Sequence, residues 1–171
     1  MTHKELVEIA YKWAIKRGSV GVVFKELNSL ASNGEYPDII GFGAWGNSLL
    51  IEVKTSRADF LADKKKMFRR IPAQGMGLHR YYCCPTNLIK TEELPIGWGL
   101  IYVNEKGKAM RHHKPLIELP NGVITHFKHE RNLLAEHGLM YSALRRLFLK
   151  DLVKHIYDKD YDNLNTITSS E

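Results

Sequence analysis

Two carboxylates and one ammonium group are spaced so that a β-hairpin would bring them together. Asp38 lies in the predicted strand 36–42, and Glu52 and Lys54 lie in the apolar segment 48–54 that follows a five-residue loop. If the connecting loop is centred on Trp45, antiparallel partners have residue numbers that sum to 90, which places Asp38 directly across from Glu52. Alternation along a strand puts Lys54 on the same face as Glu52. The sequence therefore predicts all three groups on one face of a sheet.

Such an arrangement indicates a metal-dependent reaction. Like charges opposed across a strand pair destabilise it unless a cation lies between them. Lys54 could offset one charge, whereas a divalent cation could offset both, and carboxylate oxygens suit Mg²⁺ or Mn²⁺ better than Zn²⁺. The cation would acidify a water and stabilise charge on a phosphodiester, while Lys54 would orient the water or help neutralise the phosphate. We therefore predict Asp38, Glu52 and Lys54 as catalytic residues of phosphodiester hydrolysis, with Asp38 and Glu52 as metal ligands.

The same residues resemble a known signature. Pro37-Asp38, thirteen residues and then Glu52-Val53-Lys54 is similar to the motif of the PD-(D/E)XK nuclease superfamily. More narrowly, residues 52–65 resemble the MmcB-like DNA-repair proteins, whose motif has the form E-[IV]-K-x-S-x-x-D-[FL]-x-x-D-x-K. The similarity is strong over residues 37–65 and loose over the rest of 19–155. One departure is Glu35-Tyr36 before Pro37-Asp38, where the family has Arg-Arg-Ala-Asp.

The resemblance implies a fold and an activity. The fold would be an α/β restriction-endonuclease-like core, with a central four-stranded mixed β-sheet flanked by α-helices. The activity would be that of a Mg²⁺- or Mn²⁺-dependent DNA endonuclease in DNA repair or recombination, with Lys54 as the catalytic lysine. A family Glu in the preceding strand would correspond to Glu26, which could supply a third metal-binding carboxylate, although a charged residue at a strand end is commonly solvated. Glu8 is a weaker alternative for that place.

The remaining pattern supplies elements for such a fold. Thr2 and Glu5 have the spacing of a capping box, which predicts a first helix. Strands are predicted within 19–27, 36–42, 48–54, 79–84 and 98–104, with a further one at 107–110. A second helix is predicted from Ser56 to a stop at Pro72, with Phe60, Leu61, Met67 and Phe68 as its buried apolar stripe. A long C-terminal helix is also predicted, either broken at His137-Gly138 or continuing through it. The apolar repeat expected to bury that last helix is Leu133, Met140, Leu144, Leu147, Phe148, Leu152 and Ile156.

Basic residues follow the proposed site and indicate contact with DNA phosphates, although a charge run on a helix is also typical of a solvated face. They are Arg57, Lys64, Lys65, Lys66, Arg69 and Arg70. Asp59 and Asp63 in the same segment are predicted to form salt bridges with Lys66 or Arg70 rather than to take part in catalysis. Trp45 could stack on a base or pack on its own hairpin.

Composition agrees with a folded protein that binds a polyanion. Lys and Arg number 25 against 19 Asp and Glu, a net charge of +6, and 44% of residues are hydrophobic. We expect one domain over 1–157 and a polar, flexible tail over 158–171. The adjacent Cys83 and Cys84 should point to opposite faces of a strand and form no disulfide. No apolar stretch reaches the roughly 20 residues of a membrane span, so we expect a cytoplasmic protein. The basic residues and the resemblance make DNA the expected partner.

Two other functions remain open from sequence. The first is a non-catalytic DNA-binding module whose nuclease site is vestigial, and the second is a Holliday-junction-type resolvase. Cutting both strands of a duplex would need two sites, which a homodimer would supply, but no dimer face can be identified in the sequence.

Overall fold

The computed structural model describes residues 1–28 and 33–158. Its helices are α1 (His3–Arg17), α2 (Arg57–Asp63), α3 (Met67–Arg70) and α4 (Leu133–Leu149). Its strands are β1 (Val22–Lys25), β2 (Ile39–Phe42), β3 (Ser48–Val53), β4 (His79–Pro85), β5 (Trp98–Val103), β6 (Ala109–His113), β7 (Leu116–Glu118) and β8 (Ile124–His126).

A six-stranded mixed sheet, ordered β1-β2-β3-β4-β5-β6, forms the centre of the molecule. The pairs β1–β2, β2–β3 and β5–β6 are antiparallel, whereas β3–β4 and β4–β5 are parallel. With helices on both faces, this confirms the predicted α/β class and is consistent with a restriction-endonuclease-like core. The sheet is wider than the four strands expected, because β1 and β6 extend it at its two edges.

Helix α1 covers one face of the sheet. Its predicted capping box is present, with the Thr2 hydroxyl accepting from the Glu5 N–H and the Glu5 carboxylate accepting from the Thr2 N–H. The helix buries a stripe spaced by helical turns against the odd-numbered side chains of β3. That packed layer includes Leu6, Val7, Ala10, Trp13, Ala14, Leu49, Ile51 and Val53.

The opposite face of the sheet is covered by α2 and α4. Leu50 of β3 packs there with Phe60 of α2 and Leu139 of α4. Cys83 belongs to the α1 side of the core and Cys84 to this second side, and both are free and buried, as predicted. Alternation along β4 is the reason, since neighbouring side chains project to opposite faces.

The predicted continuous helix from Ser56 to Pro72 is wrong in its middle. Ser56 caps α2 as expected, by accepting from the Asp59 N–H, but α2 ends at Asp63 and α3 begins at Met67. The break changes the helical phase, so the predicted apolar stripe does not continue across it. Phe60 is fully buried, whereas Leu61 and Met67 are exposed.

Helix α4 runs through His137-Gly138 without a break, but the residues predicted to bury it are exposed. Leu133, Leu144 and Phe148 each expose more than half of their surface. The helix instead packs through Ala135, Leu139 and Ala143, a stripe about 120° around the helix from the predicted one. Small alanines allow close approach to the sheet, which leaves the larger apolar side chains facing outward.

The β7–β8 hairpin was not expected, although its turn carries a recognisable signal. Asn121-Gly122 lies between the two strands, and Gly122 has a positive φ of 77°, which an Asn-Gly turn accommodates. The expected hairpin of β5 and β6 is present, with Asn104 Oδ1 accepting from the N–H groups of Lys106 and Lys108 in its turn.

Among the described helices, none has both the length and the apolar character that crossing a bilayer requires. The predicted polar tail lies outside the described residues except for Asp158.

Candidate active site

The predicted pairing of Asp38 with Glu52 agrees with the register of the hairpin. Ile39 pairs with Ile51 and Ile40 with Leu50, so the partners sum to 90, and Asp38 is one residue before the paired segment. Asp38 Oδ2 accepts the Val53 N–H at 2.7 Å, which fixes the carboxylate beside the end of β3. Oδ1 of Asp38 takes no part in that hydrogen bond and can contact other groups.

Asp38 is a carboxylate with too little positive charge around it. Burial, and then the negative charge of Glu52, raise the pKa of Asp38 to about 6, against smaller opposing effects from the Val53 N–H, Lys54 and His3. Its side chain is 17% exposed, so solvent screens it only in part. The site therefore favours any added cation next to this oxygen.

Lys54 is held as a buried ammonium group. Its Nζ lies 3.3 Å from Glu52 Oε2, 3.5 Å from Asp63 Oδ1 and 3.8 Å from Asp59 Oδ1. Burial alone would lower the pKa of Lys54, but these carboxylates outweigh burial and raise it. Lys54 therefore carries its proton at neutral pH and can act as a positive charge or a hydrogen-bond donor, not as a proton acceptor.

Lys54 and Glu52 belong to a larger buried ionic network, which we define as Glu35, Glu52, Lys54, Asp63 and Arg69. The Arg69 guanidinium bonds to Glu35, lies 3.0 Å from Glu52 Oε1 and donates from Nε to Asp63 Oδ2 at 2.9 Å. The side chains of all five members are at most 5% exposed. One guanidinium thus connects three acids that come from different segments of the chain.

Asp63 serves this network, as its predicted salt-bridging role implies. It accepts from Tyr82 Oη at 2.8 Å and lies 2.9 Å from Lys66 Nζ, in addition to Arg69 and Lys54. Burial alone would raise its pKa, but Arg69 and Lys54 lower it well below the usual range of Asp. Lys66 was one of its two expected partners, whereas Arg69 takes the place expected for Arg70.

A second group of side chains meets at Asp38, and we call it the His3 cluster: His3, Glu26 and Asp38. His3 Nε2 lies 3.4 Å from Asp38 Oδ1 and 3.6 Å from Glu26 Oε1, and one donor atom from each residue falls within 4.8 Å of the others. Glu26 follows β1 in a left-handed conformation, with φ of 46°, and its N–H donates to the Asp38 carbonyl oxygen at 2.8 Å. The structure thus brings Glu26 to Asp38, as a third metal ligand would require. Among the described residues, this group of close donor atoms does not include Glu52, the second predicted ligand.

Glu8, the alternative to Glu26, does not join the His3 cluster. Its carboxylate forms an ion pair with Lys25 on β1. That contact lies further along α1 than His3 and occupies the Glu8 carboxylate.

The basic residues predicted to contact nucleic acid differ in their exposure and in whether a protein group already binds them. Arg57 pairs with Glu93, Lys64 donates to the Glu93 carbonyl oxygen at 2.8 Å, and Lys66 pairs with Asp63. Lys65 and Arg70 are exposed and have no acidic partner within residues 1–28 and 33–158. For Arg69 the prediction of a DNA contact is wrong, because its side chain is 1% exposed and bonded to buried acids.

Trp45 lies at the tip of the β2–β3 hairpin and is fully exposed, with φ of 59°. It therefore does not pack on its own hairpin. Seven residues of chain separate it from Asp38, which is about 20 Å along a strand, so it is remote from the acids.

Three participants were missed in the sequence: Glu35 and His3 as site residues, and Arg69 as the centre of the network. Glu35 lies in an irregular segment and is 1% exposed, with Oε2 accepting the Met76 N–H at 2.6 Å. Neither periodicity nor a motif marks it, because Arg69 and Met76, which hold its carboxylate in the core, are more than thirty positions away. His3 lies between Thr2 and Glu5, whose spacing predicts the start of a helix. That spacing does not indicate that Asp38 and Glu26 are close to His3 in space.

Comparison with known proteins gives a fold likeness and no family. No protein-family model matches the chain, and no curated protein does. A solved structure, the SPO1766 protein of unknown function from Silicibacter pomeroyi, is similar with a TM-score of 0.55 and 20% sequence identity, over 88% of this chain and 92% of that chain. At this identity the likeness supports the α/β fold alone.

Proposed function

We propose that this protein is a metal-dependent DNA endonuclease of the PD-(D/E)XK type that hydrolyses phosphodiester bonds. The observation that carries the proposal is the placement of Asp38, Glu52 and Lys54 at neighbouring positions at one end of the β2–β3 pair, with Asp38 fixed to the backbone of Val53. A role in DNA repair or recombination, and a cytoplasmic location, belong to the same proposal and rest on the sequence resemblance.

The balance of charge supports a divalent cation at this site. Four buried or half-buried carboxylates, Glu35, Asp38, Glu52 and Asp63, face the buried cations Lys54 and Arg69, and the half-exposed Lys66 also pairs with Asp63. When all are ionised, the group carries one excess negative charge, and burial in a low dielectric makes such an excess costly. Mg²⁺ or Mn²⁺ would balance it and suits oxygen donors.

The ligands proposed for that cation are Asp38 and Glu52, with Glu26 as a third; Glu26 already meets Asp38, whereas Glu52 lies outside that group of close donors. Asp38 Oδ1 is free of the backbone contact that holds Oδ2, and within the described chain Glu52 Oε1 is buried without a well-aligned hydrogen bond. Both oxygens therefore retain lone pairs for a ligand. When bound, such a cation acidifies water and stabilises negative charge that develops on a phosphodiester.

Lys54 contributes a fixed positive charge beside the reacting phosphate. Because its carboxylate neighbours keep it protonated, it can donate to a phosphate oxygen or hold an attacking water in place. The buried ionic network positions it, since Glu52 and Asp63 contact its Nζ and Arg69 in turn contacts both of these acids. Arg69 is thus a positioning residue in this proposal.

A non-catalytic DNA-binding module is the second candidate, and one observation favours it. Glu52 already contacts Lys54 and Arg69, so part of its charge is balanced by the protein itself. In such a module the network would only stabilise the fold, and no cation would be needed at Asp38.

Cleavage assays on defined DNA separate these candidates. Single-stranded, duplex, flapped and four-way-junction substrates should be incubated with Mg²⁺, with Mn²⁺ and with chelator. We expect cleavage that requires the cation, is abolished by Asp38→Ala and by Lys54→Met, and is retained by Glu105→Gln, a matched change of an exposed acid in the β5–β6 turn. Both site variants should keep most of their DNA affinity.

Cleavage that persists in chelator would refute the proposal, as would full activity of either site variant. DNA binding without cleavage under every condition would favour the non-catalytic module. Preferential cutting of the four-way junction would identify a resolvase.

A further inference from the structure

We infer that His3 is a metal ligand of this site, so that an imidazole nitrogen joins the carboxylates of Glu26 and Asp38 and biases the site toward Mn²⁺ over Mg²⁺. The inference rests on the proposed function in placing a cation at Asp38. It goes further by assigning a nitrogen donor from α1, which the hairpin motif does not contain.

The distances within the His3 cluster are those of groups that could share one cation. Two donors bound by the same ion at about 2.0–2.2 Å must lie within roughly 4.4 Å of each other. The separations of His3 Nε2 from Asp38 Oδ1 and Glu26 Oε1, 3.4 and 3.6 Å, are within that limit. They are longer than the roughly 2.7–2.9 Å of a charge-assisted hydrogen bond, so the ring is close to both acids without bonding to either.

Each member of the His3 cluster is held by contacts that do not involve the other side chains. The capping box of Thr2 and Glu5 fixes the first turn of α1, where His3 is the first residue. Asp38 is held through Oδ2 by the Val53 N–H, and Glu26 is held through its own N–H by the Asp38 carbonyl oxygen. These contacts therefore place the Asp38 carboxylate and the backbone of His3 and Glu26 next to one another.

A plain surface ion pair explains this arrangement less well. The His3 and Glu26 side chains are 45% and 56% exposed, and ion pairs at that exposure contribute at most about 1 kcal/mol. Asp38, by contrast, belongs both to this cluster and to the Asp38–Glu52 pair, where negative charge is in excess. A cation bound by the His3 cluster would offset the negative charge at Asp38, to which Glu52 also contributes.

The type of donor decides the choice of metal. Mg²⁺ is bound almost entirely by oxygen, whereas imidazole suits transition metals, and Mn²⁺ accepts nitrogen and oxygen together. A site with one imidazole and several carboxylates should thus prefer Mn²⁺ over Mg²⁺ by more than a site of carboxylates alone.

Mn²⁺ binding to the full chain tests this without any DNA. Wild type, His3→Ala and His3→Gln should be titrated with Mn²⁺ by electron paramagnetic resonance, and with Mg²⁺ in competition. The bound ion should also be examined for ¹⁴N coupling by electron spin-echo modulation. His137→Ala, which changes an exposed histidine on α4, is the matched control.

We expect the ring-nitrogen coupling in wild type and His137→Ala and its loss in both His3 variants. Mn²⁺ affinity should fall by about tenfold or more, the lower end of what is lost when supporting partners of metal ligands are removed. Mg²⁺ affinity should change less, so the preference for Mn²⁺ decreases.

Coupling that persists in His3→Ala would overturn the inference, as would its absence from wild type with Mn²⁺ bound, or a lack of Mn²⁺ binding by wild type. The proposed nuclease is judged separately by cleavage. Cleavage that depends on Asp38 and Lys54, together with unchanged Mn²⁺ binding in His3→Ala, would leave the nuclease standing and remove His3 from its site. Mn²⁺ bound through His3 in a protein that never cleaves DNA would support His3 as a metal ligand and refute the proposed nuclease.

Discussion

Replacement of Asp38 by Asn should stabilise the cation-free protein at neutral pH. Burial and the charge of Glu52 raise the pKa of Asp38 from 3.8 to about 6. At about 1.4 kcal/mol per pKa unit, this corresponds to an upper limit of about 3 kcal/mol. The amide oxygen of Asn can still accept the Val53 N–H that Asp38 Oδ2 accepts, so the replacement removes the charge and keeps the main contact.

The sign of the pH dependence follows from proton binding. A folded-state pKa above the unfolded value means that the folded protein holds more protons between pH 4 and 6, so the wild type loses stability as pH rises through that window. Asp38→Asn has no group to titrate there. The two proteins should be similar at pH 4, and the variant should be more stable by up to about 3 kcal/mol at pH 7.5.

Urea denaturation at the two pH values in chelator, followed by circular dichroism, measures this difference. A gain of about 3 kcal/mol would move the midpoint by about 1–3 M urea. Adding Mn²⁺ at about 1,000 times its Kd should reverse the order, because binding then stabilises the wild type by about 4.1 kcal/mol and only the wild type keeps the carboxylate. Glu105→Gln is the control and should show neither effect.

A variant that equals the wild type at pH 7.5 in chelator, or is less stable than it, would refute this reasoning. It would mean that Asp38 already has adequate positive charge around it. An equal response of both proteins to Mn²⁺ would show that the ion binds elsewhere.

Three further changes test the network and the surface. Arg69→Met should cost about 3–5 kcal/mol in urea denaturation, since it leaves buried acids without their cation, and adding Glu35→Gln should recover part of the loss. Because the pKa of Asp63 is lowered in the folded state, its contribution to stability is present at neutral pH and is lost as pH falls below about 4. The stability of Asp63→Asn should therefore decline less steeply below pH 4 than that of wild type, and equal declines would contradict this. Lys65→Ala and Arg70→Ala should each reduce the salt dependence of DNA affinity by about one phosphate contact in fluorescence anisotropy, and Arg57→Ala by less, because Glu93 already pairs with it.

Local patterns were sufficient for the hairpin and the first helix. The register of β2 with β3 follows from loop length and alternation, and both are properties of neighbouring residues. The capping box likewise needs only Thr2 and Glu5. Such features are predictable because the groups that interact lie within a few positions of each other.

Helix α4 shows where local pattern fails. Its apolar residues repeat at helical spacing on more than one stripe, and the sequence cannot say which stripe faces the sheet. Packing selected Ala135, Leu139 and Ala143, because the close approach of helix and sheet favours small side chains. Burial depends on the opposing surface, which periodicity does not describe.

The sequence by itself determined the hairpin register that sets Asp38 beside the end of β3 and the alternation that brings Glu52 and Lys54 together, since both are geometric consequences of the backbone. Only the tertiary structure decided that Arg69 is buried among Glu35, Glu52 and Asp63, and that His3 meets Glu26 and Asp38. These contacts join segments far apart in the chain. Their partners are selected by the packing of α1 and α3 against the sheet and by the cost of burying a charge without its counterion, neither of which can be evaluated from residue spacing.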